Sequence, residues 1–431
     1  MILDLFQIRI VGEPSPDAWN RVRRYASWMR HVCVDERPDL GEDTLRKLRL
    51  NSPPGGWFPA SQDLFWCITK SNHPYASLFF SPQLKSISIS VPRLWRISNV
   101  PLDILPAVTS IISALPTPTL QDLSVYIGCR GTPPTHFQDS LSSAIFRCGP
   151  TFAKLSTTIP LSDAAINHLV HLPHLHTWYI KNPPPSYPPS SLPATFPPLT
   201  KFTLGKGAAH GWLSLFQRLG GRDSSTQGTT PLSRAKESLE SLTVEDSPDF
   251  TISAPFVSTI RMFRNLEYLN VGIHCRDGDY DTQCAFTLNN ENVTELAMAL
   301  PQLESLLLGY PCYKNVCATT VACLLPISVH CPRLYSLEIH FNTTNILGDL
   351  KVIAEDPRFQ EVRLLPKCGL SCLDVGQMPL DLDDSGLRTV ADGMMSIFPY
   401  LEQCNKPHGI WDKLNESIAE LREVWVPEGH R

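Results

Sequence analysis

Long apolar runs are missing from this chain of 431 residues. None approaches the roughly 20 residues of a membrane-spanning helix, so no membrane partner is expected. A basic excess is missing as well. Thirty-seven Lys and Arg stand against 42 Asp and Glu, a formal net charge of −5. That leaves no electrostatic footprint for nucleic acid. Met1 to Ile10 contain no basic leader and no small-residue cleavage site, so no secretory signal is expected. Without export, the 13 cysteines are expected as reduced thiols in the cytoplasm, the nucleus or both. The Asn-x-Ser/Thr triplets at Asn292, Asn342 and Asn415 then carry little meaning, because glycosylation requires export.

Catalytic and metal signatures are also absent. Gly205-Lys-Gly207 lacks the spacing of a phosphate loop, and there is no H-E-x-x-H helix or G-x-S-x-G elbow. Cys312-x4-Cys317 and Cys368-x3-Cys372 lack the C-x2-C spacing of zinc sites and read as buried or loop thiols. His168, His171, His174 and His176 cluster where a helix ends and a strand begins, and read as bonded to backbone rather than to a metal. Asp381-Leu-Asp383-Asp384-Ser-Gly386 with Asp392 imitates a calcium loop, but it reads better as a loop leading into a helix. No enzyme activity, cofactor or metal is expected.

What is present is punctuation. Eight times the chain writes proline, any residue, then a large apolar residue opening a short β-like run. The copies are Pro82-Gln-Leu84, Pro118-Thr-Leu120, Pro173-His-Leu175, Pro197-Pro-Leu199, Pro301-Gln-Leu303, Pro332-Arg-Leu334, Pro357-Arg-Phe359 and Pro399-Tyr-Leu401. Leu303-Glu-Ser-Leu306-Leu-Leu308 and Leu334-Tyr-Ser-Leu337-Glu-Ile339 then follow L-x-x-L-x-L, the strand half of a leucine-rich repeat. Leu239 and Leu266 open copies without the proline, and Phe152 to Ile159 hides another. The residue before a proline leaves helical angles, so each helix ends there. Proline cannot donate to a central ladder, so it marks the lead-in of the strand.

Between strands lie helical stripes at Ile104–Leu115 behind Asp103, Ala165–Leu172, Val293–Leu300, Ile346–Ala354 and Leu387–Phe398. The stretches Lys181–Pro198, Gly205–Pro231, Arg276–Asn290 and Pro366–Asp383 read as inserted loops. Asp17 to Val34 reads as a helix, with His31–Val34 as a first short strand. At the other end Trp411, Leu414, Ile418 and Leu421 make a helix suited to cover the last repeat. The expected fold is α/β, an irregular leucine-rich-repeat solenoid (a horseshoe) of about ten to twelve repeats. The expected parts are an N-terminal helical linker or cap over 1–35, a solenoid over 36–405, and a C-terminal capping helix and tail over 406–431.

Strand side chains alternate, so the residues between the buried positions should line the concave face. These are Glu240, Ser241, Thr243, Glu267, Tyr268, Asn270, Glu304, Ser305, Leu307, Tyr335, Ser336 and Glu338. The acidic share, Glu240, Glu267, Glu304 and Glu338, suggests a protein partner of basic character; equally, it keeps the face hydrated. Pro184, Pro185 and Tyr187 match the P-P-x-Y ligand pattern of WW domains, with a plain loop between repeats as the alternative.

Three segments resemble the F-box-associated leucine-rich-repeat proteins of mushroom-forming fungi. Asp17-Ala-Trp19 through Trp28-Met-Arg30 is similar to their linker helix. Leu64-Phe-Trp66-Cys-Ile68 with Leu78-Phe-Phe-Ser-Pro82-Gln-Leu84 is similar to their first repeats. Cys331-Pro-Arg-Leu334-Tyr-Ser-Leu337 is similar to a later repeat step. The resemblance implies a protein-binding receptor that recognises substrates for a Skp–cullin ubiquitin ligase. The F-box that docks the ligase adaptor is not visible, since the stretch before Trp19 is too short for its three helices. An adaptor partner is expected only if an F-box is supplied upstream. The alternative is a repeat-only scaffold or decoy with no ligase role.

Overall fold

The computed structural model describes residues 12–34, 42–54, 56–69, 72–91, 104–127, 135–180, 197–205, 235–245, 251–272, 286–309, 317–357, 368–375, 382–404 and 410–425. They fall into two compact units, one holding the described residues up to Ile180 and the other those from Pro197 onward. Each unit is an α/β leucine-rich-repeat solenoid.

The first unit runs α1 (Pro16–Ala26), β1 (His31–Val34), α2 (Glu42–Leu50), β2 (Asp63–Cys67), β3 (Ser86–Val91), α3 (Ile104–Ser113), β4 (Asp122–Ile127), α4 (Thr135–Phe146), β5 (Lys154–Thr157), α5 (Asp163–Leu169) and β6 (Thr177–Ile180). Its strands pair in parallel and in chain order, β1 through β6. The second unit runs β7 (Lys201–Leu204), α6 (Ala235–Ser238), β8 (Ser241–Val244), α7 (Ala254–Ile260), β9 (Tyr268–Val271), α8 (Asn290–Ala299), β10 (Ser305–Leu308), α9 (Leu324–His330), β11 (Ser336–Ile339), α10 (Ile346–Glu355), β12 (Cys372–Asp374), α11 (Asp384–Ile397), β13 (Gln403–Cys404) and α12 (Ile410–Trp425). Its strands are likewise parallel and ordered β7 through β13. Parallel neighbours need crossovers of one hand, which keeps the helices of each unit on one side and leaves the other side of the sheet open.

The proline is the second residue of a tight turn. Leu84 N–H donates to Ser81 O at 3.1 Å, Leu120 to Thr117 O at 3.2 Å, Leu303 to Leu300 O at 3.2 Å, Leu334 to Cys331 O at 3.1 Å and Leu401 to Phe398 O at 3.0 Å. Proline fits there because its fixed φ suits the second position of a β-turn. Pro150 makes the same turn, with Phe152 N–H on Gly149 O at 3.1 Å, and its strand is β5, inside the stretch suspected from sequence. Arg264 stands in for proline in the turn from Phe263 to Leu266. Each turn delivers its leucine or phenylalanine into the core, where Leu84, Leu120, Phe152, Leu175, Leu199, Leu239, Leu266, Leu303, Leu334 and Leu401 are fully buried. Burying one such side chain contributes roughly 1.5–3 kcal/mol.

The sequence expectation departs from the structure in three places, at the end of α1, at the strand beside β11 and in the number of strands, and its helical stripes stand. Helix α1 stops at Ala26, where Ser27 N–H closes the last turn on Arg23 O, and His31–Val34 is a strand paired with β2. The strand beside β11 is Cys372–Asp374, led by buried Leu370, within the stretch read as a Pro366–Asp383 loop. Phe359, the expected start of that strand, lies outside the described residues. The strands number thirteen among the described residues, against the ten to twelve repeats expected. The stripes at Ile346–Ala354 and Leu387–Phe398 are helices α10 and α11, and the Asp383 side chain caps α11 by accepting from Gly386 N–H at 2.7 Å. Asp103 lies outside the described residues.

At the last strand, Trp411, Leu414, Ile418 and Leu421 of α12 are buried, and α12 packs on α11 and β13. Asn415 Oδ1 accepts from Cys404 N–H at 2.7 Å, so a side chain of α12 satisfies a backbone donor of β13. At the first strands, Trp19 of α1 meets Trp57 in a tilted ring contact with centroids 5.5 Å apart, and Trp57 Nε1 donates to Leu48 O at 2.8 Å.

Candidate functional site

The open side of each sheet presents three columns of side chains. The first column is the residue after the buried lead residue, and the second and third flank the next buried position. In the second unit the first column runs Thr200, Glu240, Glu267, Glu304, Tyr335, Ser371 and Glu402, stitched by backbone bonds such as Glu267 N–H to Glu240 O at 2.8 Å. The second runs Lys201, Ser241, Tyr268, Ser305, Ser336, Cys372 and Gln403. The third runs Thr203, Thr243, Asn270, Leu307, Glu338 and Asp374. All twelve residues expected on this face are there, each at least partly exposed.

Sequence reading grouped Glu240, Glu267, Glu304 and Glu338 together. The structure puts the first three side by side in one column and Glu338 in another, beside Leu307 and Asp374. Two further carboxylates, Asp374 and Glu402, were missed. The signals were there, because Leu370-Ser-Cys-Leu373-Asp-Val375 and Leu401-Glu402 follow the repeat pattern.

Glu304 is neutralised within the unit. Its Oε1 takes an ion pair from Arg333, and its Oε2 accepts from Tyr268 Oη at 2.9 Å. That bond to a carboxylate raises the Tyr268 phenol above its ordinary pKa, because ionising it would put two anions in contact. Glu402 pairs with Arg422 of α12 at 3.1 Å. Glu240 and Glu267 have no hydrogen bond or ion pair to their side chains among the described residues. Tyr335 and Tyr268 stand out beside them, 46% and 38% exposed.

The first unit's open side is chemically different. Its first column runs Arg30, Gln62, Lys85, Gln121, Ala153 and His176. The second runs His31, Asp63, Ser86, Asp122, Lys154 and Thr177. The third runs Cys33, Phe65, Ser88, Ser124, Ser156 and Tyr179, with Tyr126 standing over Ser156 and 6.2 Å from the Tyr179 ring. Burial, with Asp63 nearby, raises the Asp122 carboxyl, while Lys154 and His176 oppose the shift.

The other sequence candidates disperse. His168 faces Phe146, His171 Nδ1 contacts Asn167 O at 2.6 Å, and His176 Nδ1 contacts Thr177 Oγ1 at 3.0 Å. No three metal-ligating side chains gather among the described residues. Cys148, Cys323, Cys331, Cys368 and Cys404 are buried thiols whose burial raises their pKa, Cys368 to about 11 and Cys148 and Cys331 to about 12. Asn292, Asn342 and Asn415 each bond backbone through their side chains. Cys312, Asp381, Pro184, Pro185 and Tyr187 lie outside the described residues. No described helix is long and apolar enough to cross a membrane.

No family model and no curated protein matches the chain. Solved structures do. One is the complex of Rad7 and Elc1 from yeast, 14% identical, covering 82% of this chain and 78% of that one, with a TM-score of 0.46. A second is the leucine-rich repeat-containing protein LegL7 of Legionella pneumophila, 13% identical, covering 66% and 85%, with a TM-score of 0.32. A third is a leucine-rich-repeat protein of Leptospira interrogans, 10% identical, covering 90% and 98%, with a TM-score of 0.31.

Proposed function

We propose that the chain is a protein-binding scaffold and that the open strand face of its second unit takes a partner segment of basic character. One observation carries this reading. Glu240 and Glu267 lead into the neighbouring strands β8 and β9, whose backbones lie about 4.8 Å apart, and neither carboxylate is paired among the described residues. Like charges side by side in a ladder are destabilising, and a cationic partner relieves them. Exposed Tyr268 and Tyr335 add ring faces that attract Lys and Arg. The test is a labelled peptide of alternating Arg and Ala, titrated against the full chain in low and high salt. Binding should weaken with salt and be lost in the E240K/E267K/E304K/E338K variant. Unchanged binding in that variant overturns the reading.

The finer reading is a substrate receptor of a Skp–cullin ubiquitin ligase. It is supported by the likeness of residues 17–30, 64–84 and 331–337 to the F-box-associated family. Its test is co-purification of the adaptor and cullin with the tagged chain, alone and with any upstream exon restored. Absence of both proteins from both preparations leaves the scaffold or decoy reading.

A further inference from the structure

Helix α1 carries an uncovered face. Arg21, Arg24, Tyr25 and Trp28 recur at i, i+3, i+4 and i+7 along α1 and the turn that follows it. All four are exposed, Tyr25 by 60% and Trp28 by 63%, while Trp19 and Ala26 on the other side are buried. The stripe is already ordered. The Arg24 guanidinium lies 5.4 Å from the Trp28 ring centre, and Tyr25 meets Trp28 edge-on at 5.9 Å. Large aromatics held in place lose little side-chain freedom on docking.

Charge and pitch both match this stripe to the acidic column of the second unit. One helical turn rises about 5.4 Å, and neighbouring strands lie about 4.8 Å apart. A helix laid across the strands therefore meets successive strands with successive turns. Arg21, Arg24 and Trp28 mark such turns, and Glu240, Glu267 and Glu304 mark such strands. In that alignment the two carboxylates with no side-chain partner among the described residues would meet the two arginines. The third, Glu304, is already neutralised by Arg333 and Tyr268, and there the column offers the rings of Tyr268 and Tyr335 instead.

We propose that α1 of one copy docks across the second-unit strand face of another copy. Arg21 and Arg24 sit on Glu240 and Glu267, and Trp28 sits beside Tyr268 and Tyr335. This rests on the reading of that face as a site for basic segments and names the segment. The contact is head-to-tail, each copy giving one surface of each kind.

The test is sedimentation velocity of the full chain at rising concentration in low and high salt. The wild type should associate with concentration and dissociate with salt. R21E/R24E and E240R/E267R should each weaken association at least about tenfold, as loss of a paired charge cluster does. Mixing the two variants should restore it, since each reversed surface then meets its complement. W28A should weaken it without changing any charge. The substituted side chains are at least partly exposed, and thermal melting checks that each variant folds.

Association indifferent to both reversals, or a mixture that stays monomeric, overturns the proposal. A monomeric wild type that still binds the Arg-Ala peptide through its acidic column overturns this proposal and spares the function above. A monomeric wild type that binds neither the peptide nor itself overturns both. A monomeric chain that binds phosphatidylserine vesicles, and loses them in R21E/R24E, overturns it and assigns the stripe to an acidic lipid surface.

Discussion

The first column of the first unit contains Arg30 and Lys85 and no carboxylate, whereas the same column of the second unit contains Glu240, Glu267, Glu304 and Glu402 and no cation. The third column runs through Ser88, Ser124 and Ser156 between Phe65 and Tyr179 in one unit and ends on Glu338 and Asp374 in the other. Beneath both, the buried positions hold the same kinds of apolar residue, such as Ile87, Leu123 and Leu155 against Leu242, Leu269 and Leu306. The core therefore places no demand on the face. Alternation along each strand separates what stabilises a repeat from what the repeat can recognise.

Charge reversal should break this contrast most. E240K/E267K/E304K/E338K should weaken capture of the Arg-Ala peptide by about 100-fold or more, roughly 3 kcal/mol. S88A/S124A/S156A on the first unit should leave the same titration curve in place.

Acid should sharpen the contrast, because one group in each unit responds in opposite directions. Burial in the second unit holds His340 at about 4, below its ordinary 6.5, with neither ring nitrogen hydrogen-bonded and Phe286 edge-on at 6.1 Å. The unfolded chain then takes the proton first, so stability should fall as pH drops from about 6.5 to about 4 and level off below. The full effect is roughly 3 kcal/mol. In the first unit Asp122 has a raised pKa, so the folded state takes the proton first, and acid should add stability there. Calorimetry of wild type, H340F and D122N between neutral pH and pH 4 reads both. H340F should lose the acid sensitivity of the second unit, and D122N should lose the acid gain of the first. An H340F profile identical to wild type would remove His340 from the account.

The turns differ as well. Those of the first unit begin with Ser81, Thr117, Gly149 and Leu172, and those of the second with Phe263, Leu300, Cys331 and Phe398. A Cβ on Gly149 would lie 2.7 Å from the Pro118 carbonyl oxygen, a backbone atom of the neighbouring turn. Gly149→Ala should therefore destabilise the first unit by about 1–3 kcal/mol, in the range of an overpacked site, and thermal melting checks it. The smallest expected effect is that of Tyr268→Phe. It removes an exposed bond to Glu304 and should change stability by less than about 0.5 kcal/mol, yet it should leave that carboxylate freer for a cationic peptide.

Much of this was legible in the sequence because a repeat writes its core at fixed spacing. Leu303, Leu306 and Leu308 determine which residues between them face outward, and so Glu304, Ser305 and Leu307 could be placed without coordinates. The failure at β12 has a specific cause. Pro357-Arg-Phe359 writes the proline pattern in the sequence, while Leu370 follows Gly369 with no proline, so the strand that pairs with β11 was not picked out and Asp374 was lost with it. The neutralisation of Glu304 was not legible, because Tyr268 and Arg333 reach it from the strand before and the turn after, over separations that the repeat pattern does not encode.

A sheet that grows one strand at a time by backbone bonds has no natural last member, because every outer strand is a template for the next. Here the amide of Asn415 occupies the Cys404 N–H that a further strand would use, and the apolar side of α12 lies where the next helix would pack. One amide oxygen and one apolar helix side together close this edge of the array. A relative that kept every leucine and proline of the repeats but lost both would keep the instructions for each step and lose the instruction to stop.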